Sequence, residues 1–137
     1  MEKPNLTMAQ QVAEAATAFE KARTGHTPQA VTVVLGGDTL VITLHGALSP
    51  AERALAQTPE GAAQVQDFHR HLFNSSADTL RQEIKRITGV NVREAKAEVE
   101  TTTGTVVQVF TTGTVVQVFL LASGISADAW NGTAIVD

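Results

Sequence analysis

The sequence predicts an α+β fold, a two-layer sandwich in which an antiparallel sheet packs against a long helix and an N-terminal helix. Two observations support this fold class. Apolar residues recur at helical spacing after recognisable capping residues, and other segments alternate apolar and polar residues as half-buried strands do. The sheet is expected to contain four strands plus one strand made by a repeated segment. With 137 residues the chain fits a single domain, 1–137.

The composition excludes several classes of protein. The net charge is −4 and aromatic residues make up 4% with no tyrosine, which argues against a nucleic-acid partner. The chain has no cysteine, so disulfides and thiolate chemistry are excluded. No apolar run approaches the roughly 20 residues of a membrane span, and no leader pattern opens the chain. We therefore expect a cytoplasmic protein without direct membrane insertion.

The first third of the chain predicts a helix and a hairpin. The helix spans residues 7–24, beginning at a Thr-x-x-Gln capping box on Thr7 and ending at Gly25, which suits a left-handed cap. Two strands follow over residues 29–45, and Gly36-Gly37-Asp38 between them supplies the positive φ of a tight turn. This hairpin forms one edge of the predicted sheet.

Two helices are predicted over residues 49–88. Each begins with a hydroxyl cap followed by proline, at Ser49 and Thr58, and the second ends before Gly89. The inward face of the second helix is predicted to carry Val65, Phe68, Leu72, Ser76, Leu80, Ile84 and Ile87. The core is expected to join Phe19, Phe68, Leu72, Leu80 and Ile84 to Val31, Val33, Ile42 and Val107.

Residues 90–119 are predicted to form the remaining strands. The first runs over residues 90–100, with a bend near Arg93-Glu94 where the apolar parity changes. A three-residue turn at Thr102-Thr103-Gly104 then opposes Val107 to Val99, so that apolar residues face each other. The tail, residues 120–137, holds the only tryptophan and is either anchored by it or frayed.

A nine-residue segment occurs twice in succession. Residues 102–110 and residues 111–119, here called the first copy and the second copy, both read TTGTVVQVF. Either the first copy keeps the native position and the second adds a strand, or the second takes the position and the first is extruded. Extrusion exposes several large apolar side chains at roughly 1.5–3 kcal/mol each, so we expect two strands that pair with one another.

The added strand predicts assembly. It would be an uncharged sheet edge, which invites pairing with another chain, and an identical segment suits strand exchange into a twofold homodimer or higher homo-oligomer. Phe110 and Phe119 are expected on the outer face of the sheet as a subunit contact. The candidate interface residues, all apolar and all within the two copies, are Val106, Phe110, Val115, Val116, Val118 and Phe119.

No constellation of residues indicates catalysis. Asp67 and His71 share a helix face, but two ligands do not make a metal site, and His69 is expected to point elsewhere. The remaining histidines and serines considered lack a neighbouring catalytic partner in the sequence, and are His26, His45, Ser49 and Ser75. We predict no enzyme activity, no catalytic residue, no cofactor and no metal.

The basic residues are concentrated near the end of the long helix. They are interleaved with acidic residues, which favours a surface of ion pairs over a nucleic-acid track, with docking of an acidic partner as the alternative. This group comprises Arg81, Lys85, Arg86, Arg93 and Lys96.

The stretch LVITLHGALSPAERALAQTPEGAAQVQDFHRHLF, followed by LRQEIKRITGVNVREAKAEV, resembles a small bacterial family, the MpsC-like family. The resemblance covers about residues 8–110 and is most specific at residues 46–52, 58–61 and 88–90. The family is named for a proposed sodium-translocating, membrane-potential-generating system, which implies an accessory role in ion or bicarbonate transport. It brings no catalytic residues, and the second copy departs from its pattern.

Three functions therefore remain open. The first is a non-enzymatic interaction or regulatory module whose oligomeric state is set by the duplicated strand. The second, implied by the resemblance, is an accessory subunit or regulator of a membrane ion or bicarbonate transport system. The third is a small-ligand-binding domain. Loss and gain of the repeat would make the first a heritable switch between assembly states.

Overall fold

The computed structural model describes residues 6–111 and 121–130. Within these residues helices and strands alternate in groups along the chain. Their bounds are α1 Met8–Thr24, β1 Ala30–Gly36, β2 Thr39–His45, α2 Pro50–Leu55, α3 Pro59–Thr88, β3 Glu94–Glu100, β4 Thr105–Thr111 and α4 Ala127–Trp130. The predicted order of helix, hairpin, two helices and hairpin is confirmed.

The four described strands form one antiparallel sheet in the order β1-β2-β4-β3. The last strand of the sheet in sequence is therefore inserted between the first hairpin and β3. β4 pairs with β2 along one side and with β3 along the other, so both of its sides are occupied. The fold class, α+β with an antiparallel sheet against helices, is confirmed. The second copy lies outside the described residues.

Local capping chemistry sets the ends of the helices. Thr7 and Ser49 each close a capping box, with the side-chain oxygen accepting a backbone amide three residues on. The hydroxyl of Thr58 caps α3 in the same way. Gly25 and Gly89 end α1 and α3 with φ of 76° and 77°, a left-handed conformation that disfavours other residues.

Helices α1 and α3 cover one face of the sheet. Val12 and Phe19 of α1, with Leu80 and Ile84 of α3, are buried in a core cluster that includes Ile42. The rings of Phe19 and Phe73 meet edge to face with centroids 6.3 Å apart. Burial of this apolar face supplies the main driving force for the fold.

The inward face of α3 differs from the prediction in the middle of the helix. The buried residues there are His69 and Phe73, whereas Phe68 is 51% exposed and Leu72 is half-buried. Val65, Leu80, Ile84 and Ile87 are buried as expected. Steps of four residues from Val65 and steps of three or four from Leu80 both suit a helix, and the sheet beneath α3 selects the first. The prediction for Phe68 and Leu72 is wrong.

The register of the β3–β4 hairpin is one residue away from the predicted one. Val106, not Val107, lies opposite Val99, and the turn spans residues 101–104 because Glu100 already pairs with Thr105. A shift of one residue turns every side chain of a strand to the other face. Here the shift turns the Val106 side of β4 toward the helices. Val107 is buried but lies outside the helix-facing cluster.

Two other predictions near the C-terminal part need correction. β3 begins at Glu94, so residues 90–93 are a connection rather than the start of a bent strand. Trp130 ends the single turn of α4 and is 66% exposed, so it does not anchor the tail in a described apolar surface.

Helices α2 and α3 meet at a glycine. A Cβ atom on Gly61 would stand 1.8 Å from the carbonyl oxygen of Leu55, at the end of α2. The backbones therefore approach more closely than any other residue type permits, which fixes α2 against the first turn of α3.

Candidate functional site

The two edges of the described sheet have opposite character. β3 carries Glu94, Lys96, Glu98 and Glu100 at alternate positions, and charged side chains on an edge strand oppose pairing with another chain. β1 has the sequence AVTVVLG, without a charge or a proline, and within the described residues only its β2 side is paired. The β1 edge is therefore the unprotected edge of this sheet.

A groove runs between α1 and β1. One hollow of about 530 Å³ lies between the middle of α1, at Thr17 and Ala18, and the start of β1 near Val31. A second hollow of about 350 Å³ lies between Met8 of α1 and Leu35 near the end of β1. Met8 and Leu35 are 58% and 70% exposed. We call this surface, from Met8 to Lys21 and from Pro28 to Leu35, the α1–β1 groove.

The first copy does not lie where the interface prediction placed it. Val106 and Phe110 are each 2% exposed and belong to the core cluster, and the Phe110 ring contacts Phe73 with centroids 6.1 Å apart. The prediction that these two residues lie on the outer face is wrong because of the register shift. The other candidate interface residues lie outside the described residues and are Val115, Val116, Val118 and Phe119.

The predicted pairing of the two copies conflicts with the sheet order. A strand that joins the first copy side by side needs a free side of β4, and β2 and β3 occupy both. The first copy holds the central position, so the alternative in which it is extruded is also wrong for this structure.

A buried polar cluster lies beneath α1, α2 and α3. His69 on α3 is 4% exposed, and its Nε2 pairs with Oε2 of Glu52 on α2. The other carboxylate oxygen of Glu52 accepts hydrogen bonds from the amide and the hydroxyl of Ser49, at 3.1 and 3.0 Å. One carboxylate thus closes the cap of α2 and holds α2 to α3.

Glu20 of α1 lies close enough to this pair to interact with its charges, and it is 5% exposed. Its Oε2 and the Oε1 of Gln108 are buried without a hydrogen-bond partner among the described residues, and both residues line a cavity of about 10 Å³. That volume approaches the space of one water molecule, and two acceptors are a suitable setting for a water that donates to both.

The two carboxyl groups of this cluster are shifted in opposite directions. Burial raises the pKa of Glu20, with the nearby Glu52 charge adding to that rise and His69 opposing it. Burial also acts to raise the pKa of Glu52, but hydrogen bonds from Ser49 and His69 outweigh it and lower this pKa. Glu52 therefore favours its charged form and Glu20 its neutral form.

The sequence reasoning missed this cluster. It placed His69 away from the core, yet His69 lies four residues from both Val65 and Phe73, and that spacing was the available signal. Asp67 and His71, the pair singled out from the sequence, are exposed, and Asp67 pairs with Arg70 at 3.3 Å.

The remaining candidate side chains make structural hydrogen bonds. Nε2 of His26 lies 3.0 Å from the carbonyl oxygen of Gly46, and Nε2 of His45 lies 3.1 Å from the hydroxyl of Thr32. The Ser75 hydroxyl donates to a carbonyl of its own helix. No group of three metal-ligating side chains occurs in residues 6–111 and 121–130.

The basic residues near the end of α3 include one exposed ion pair with good geometry. Arg86 binds Glu83 through two hydrogen bonds of 2.8 and 3.0 Å. This pairing follows the interleaved charge pattern read from the sequence.

The fold and the surface together define a small α+β domain with one unprotected sheet edge beside a helical groove. The chain belongs to the family described as "Na+-translocating membrane potential-generating system (MpsC)", whose model matches residues 5–114. The uncharacterized protein YbcI of Bacillus subtilis (strain 168) is 26% identical over 110 residues, which cover 80% of this chain and 89% of that protein. No solved structure matches significantly. None of the helices within the described ranges is both long and apolar enough to cross a membrane.

Proposed function

We propose that this chain is a non-enzymatic, cytoplasmic interaction module whose oligomeric state is set by the second copy, residues 111–119. One observation carries the proposal: the repeated sequence is that of β4, the strand paired on both sides at the centre of the sheet. A segment with this sequence is competent to form a strand, and its own sheet offers it no place beside its template. It is therefore available to the sheet of another molecule.

The composition of the second copy supports this role. Residues 111–119 contain no charge and no proline, and four of the nine side chains are large and apolar. Burying such side chains at a contact contributes roughly 1.5–3 kcal/mol each, before the losses of freedom on association. A segment of this kind favours association over exposure to water.

The extent of the family match also supports it. The match ends at residue 114 and so includes the first copy but little of the second. The family pattern therefore accounts for one strand, and the second copy is an addition to that pattern. Assembly through the second copy would distinguish this chain from relatives that carry the strand once.

The test is the mass in solution, by light scattering, of the full chain and of a variant lacking residues 111–119. At equal concentration the full chain is expected as a dimer or larger and the shortened chain as a monomer. A full-length control, Val116→Lys with Val118→Lys, keeps the length but charges the strand and should behave as the shortened chain does. Equal masses for all three proteins would refute the proposal.

The family description favours a second candidate function, an accessory subunit or regulator of a membrane ion transport system. The test is to delete the gene and measure the membrane potential of the cells with and without sodium. A sodium-dependent loss of potential that the intact gene restores would support this function. An unchanged potential under both conditions would refute it.

A further inference from the structure

We infer that the α1–β1 groove is the docking site for the second copy of a neighbouring molecule, which adds there as a strand on the free edge of β1. The inference rests on the proposed function, because it locates the surface that the second copy uses. The mode is strand addition, in which backbone hydrogen bonds to a sheet edge supply affinity and side-chain hollows supply selectivity.

The charge pattern selects the β1 edge. An incoming strand beside β3 would meet a row of four charged side chains at alternate positions. Beside β1 it meets valine, threonine and alanine, which match its own valines and threonines. Apolar and β-branched pairs across strands contribute roughly 0.2–1 kcal/mol each, whereas an unpaired charge beside valine opposes pairing.

The groove has the form that strand addition needs. α1 stands along β1, and the hollows of about 530 and 350 Å³ lie between the same two elements. The walls near β1 are largely apolar, with Ala18, Val31 and Val33 among them. Alternate side chains of an added strand point to one face of the sheet, and on the helix side they enter this groove.

Exchange at the β4 position does not provide the same drive. If the second copy of one molecule replaces the first copy of another, the same side chains meet the same neighbours, so no contact is gained. Addition to β1 leaves both first copies in place and creates a new strand pair. For this reason we place the contact at the edge rather than in an exchanged strand.

The length of the connection makes the contact intermolecular. β4 is parallel to β1 with β2 between them, so the chain leaving Thr111 is about 14 Å, three strand spacings, from the free edge of β1. The three residue steps from Thr111 to Thr114, where the repeated strand would begin, span about 10 Å at most. The second copy therefore reaches the β1 edge of a neighbour more readily than its own.

The direct test uses the isotope-labelled chain without residues 111–119 and a synthetic peptide, TTGTVVQVF, as the probe. Titration followed by amide chemical shifts should move signals of residues 30–36 and of residues 13–21, and should slow amide exchange in β1. Shifts centred on residues 94–100 or on the β4 position would overturn the inference, as would the absence of binding.

Matched variants of the groove extend the test. Ala18→Arg blocks the groove from α1 and should weaken peptide binding at least tenfold, whereas Ala22→Arg, also on exposed α1 surface but outside the groove, should not. Val34→Lys places a charge on the β1 edge, and Leu55→Lys is its control at similar exposure, 55% against 48%. Both groove variants should also reduce the mass of the full chain.

The two proposals fail in different ways. If deletion of residues 111–119 lowers the mass but Ala18→Arg and Val34→Lys do not, the groove is wrong and assembly through the second copy stands. If the deletion leaves the mass unchanged, the proposed function is refuted.

Discussion

The imidazole of His69 on α3 pairs with the carboxylate of Glu52 on α2, while the other oxygen of that carboxylate closes the N-terminal cap of α2. One buried contact thus fixes both the start of a short helix and its position on a long one. α2 has six residues and buries none of its own side chains, so it depends on such contacts.

Replacing His69 with alanine should destabilise the protein by about 3 kcal/mol, because it leaves the charge of Glu52 without its partner in a largely buried site. Urea unfolding followed by circular dichroism measures this change. The matched control is His71→Ala on the exposed side of the same helix, expected to change stability by less than about 0.5 kcal/mol. Equal effects of the two substitutions would contradict the structural role of the pair.

Glu20→Gln should stabilise the protein at neutral pH by about 1 kcal/mol. The folded state raises the pKa of Glu20, so this carboxyl favours folding only while protonated, and that contribution is lost as the pH rises through the raised pKa. Unfolding free energies measured from pH 3 to 8 should show the gain at high pH and its disappearance below the ordinary value of 4.5. Glu14→Gln, on the exposed side of α1, is the control. A gain that does not vary with pH would argue against buried ionisation.

Glu52→Gln should show the opposite pH dependence. The folded state lowers the pKa of Glu52, so its charged form contributes stability above the ordinary value of 4.5, and this is lost as the pH falls through the lowered pKa. The variant should be less stable than the parent protein at neutral pH, with the difference closing in acid. A difference that widens in acid would show that the sign is wrong.

Phe73→Ala should cost about 3–5 kcal/mol, because Phe73 is 4% exposed and its ring contacts Phe19 and Phe110. Phe68→Ala removes the same number of atoms from a side chain that is 51% exposed, and should cost about 1 kcal/mol or less. Chemical unfolding of the two variants side by side decides which face of α3 is inward. A larger loss for Phe68 would restore the face expected from the sequence.

Gly61→Ala should destabilise the contact between α2 and α3 by about 1–3 kcal/mol, since the added methyl group would collide with the carbonyl of Leu55. Gly124→Ala is the matched control, because the space around Gly124 is open and its φ is unrestricted. Thermal unfolding of the two proteins provides the comparison. If both melt as the parent does, the close approach of the helices is not required.

The element order and the helix ends followed from the sequence because capping is local. Ser49 and Glu52, for example, are three residues apart and bond to each other wherever the helix lies. The face of α3 did not follow, because two apolar rows satisfy helical spacing and only the sheet beneath distinguishes Phe73 from Phe68. The strand order and the β3–β4 register depend on contacts between distant segments, and neither is encoded in a local pattern.

The central position of β4 also affects how the chain reaches its fold. Pairing of β2 with β4 closes a long loop that contains α2, α3 and β3, and such distant pairings are slow to form. During folding the second copy offers the same side chains for this position, nine residues out of step. Filling the position with it lengthens only the β3–β4 connection, at an entropic cost of about 1 kcal/mol. The repeat therefore creates a kinetic competitor to the native alignment, and molecules that choose it must unpair β4 before they can complete refolding.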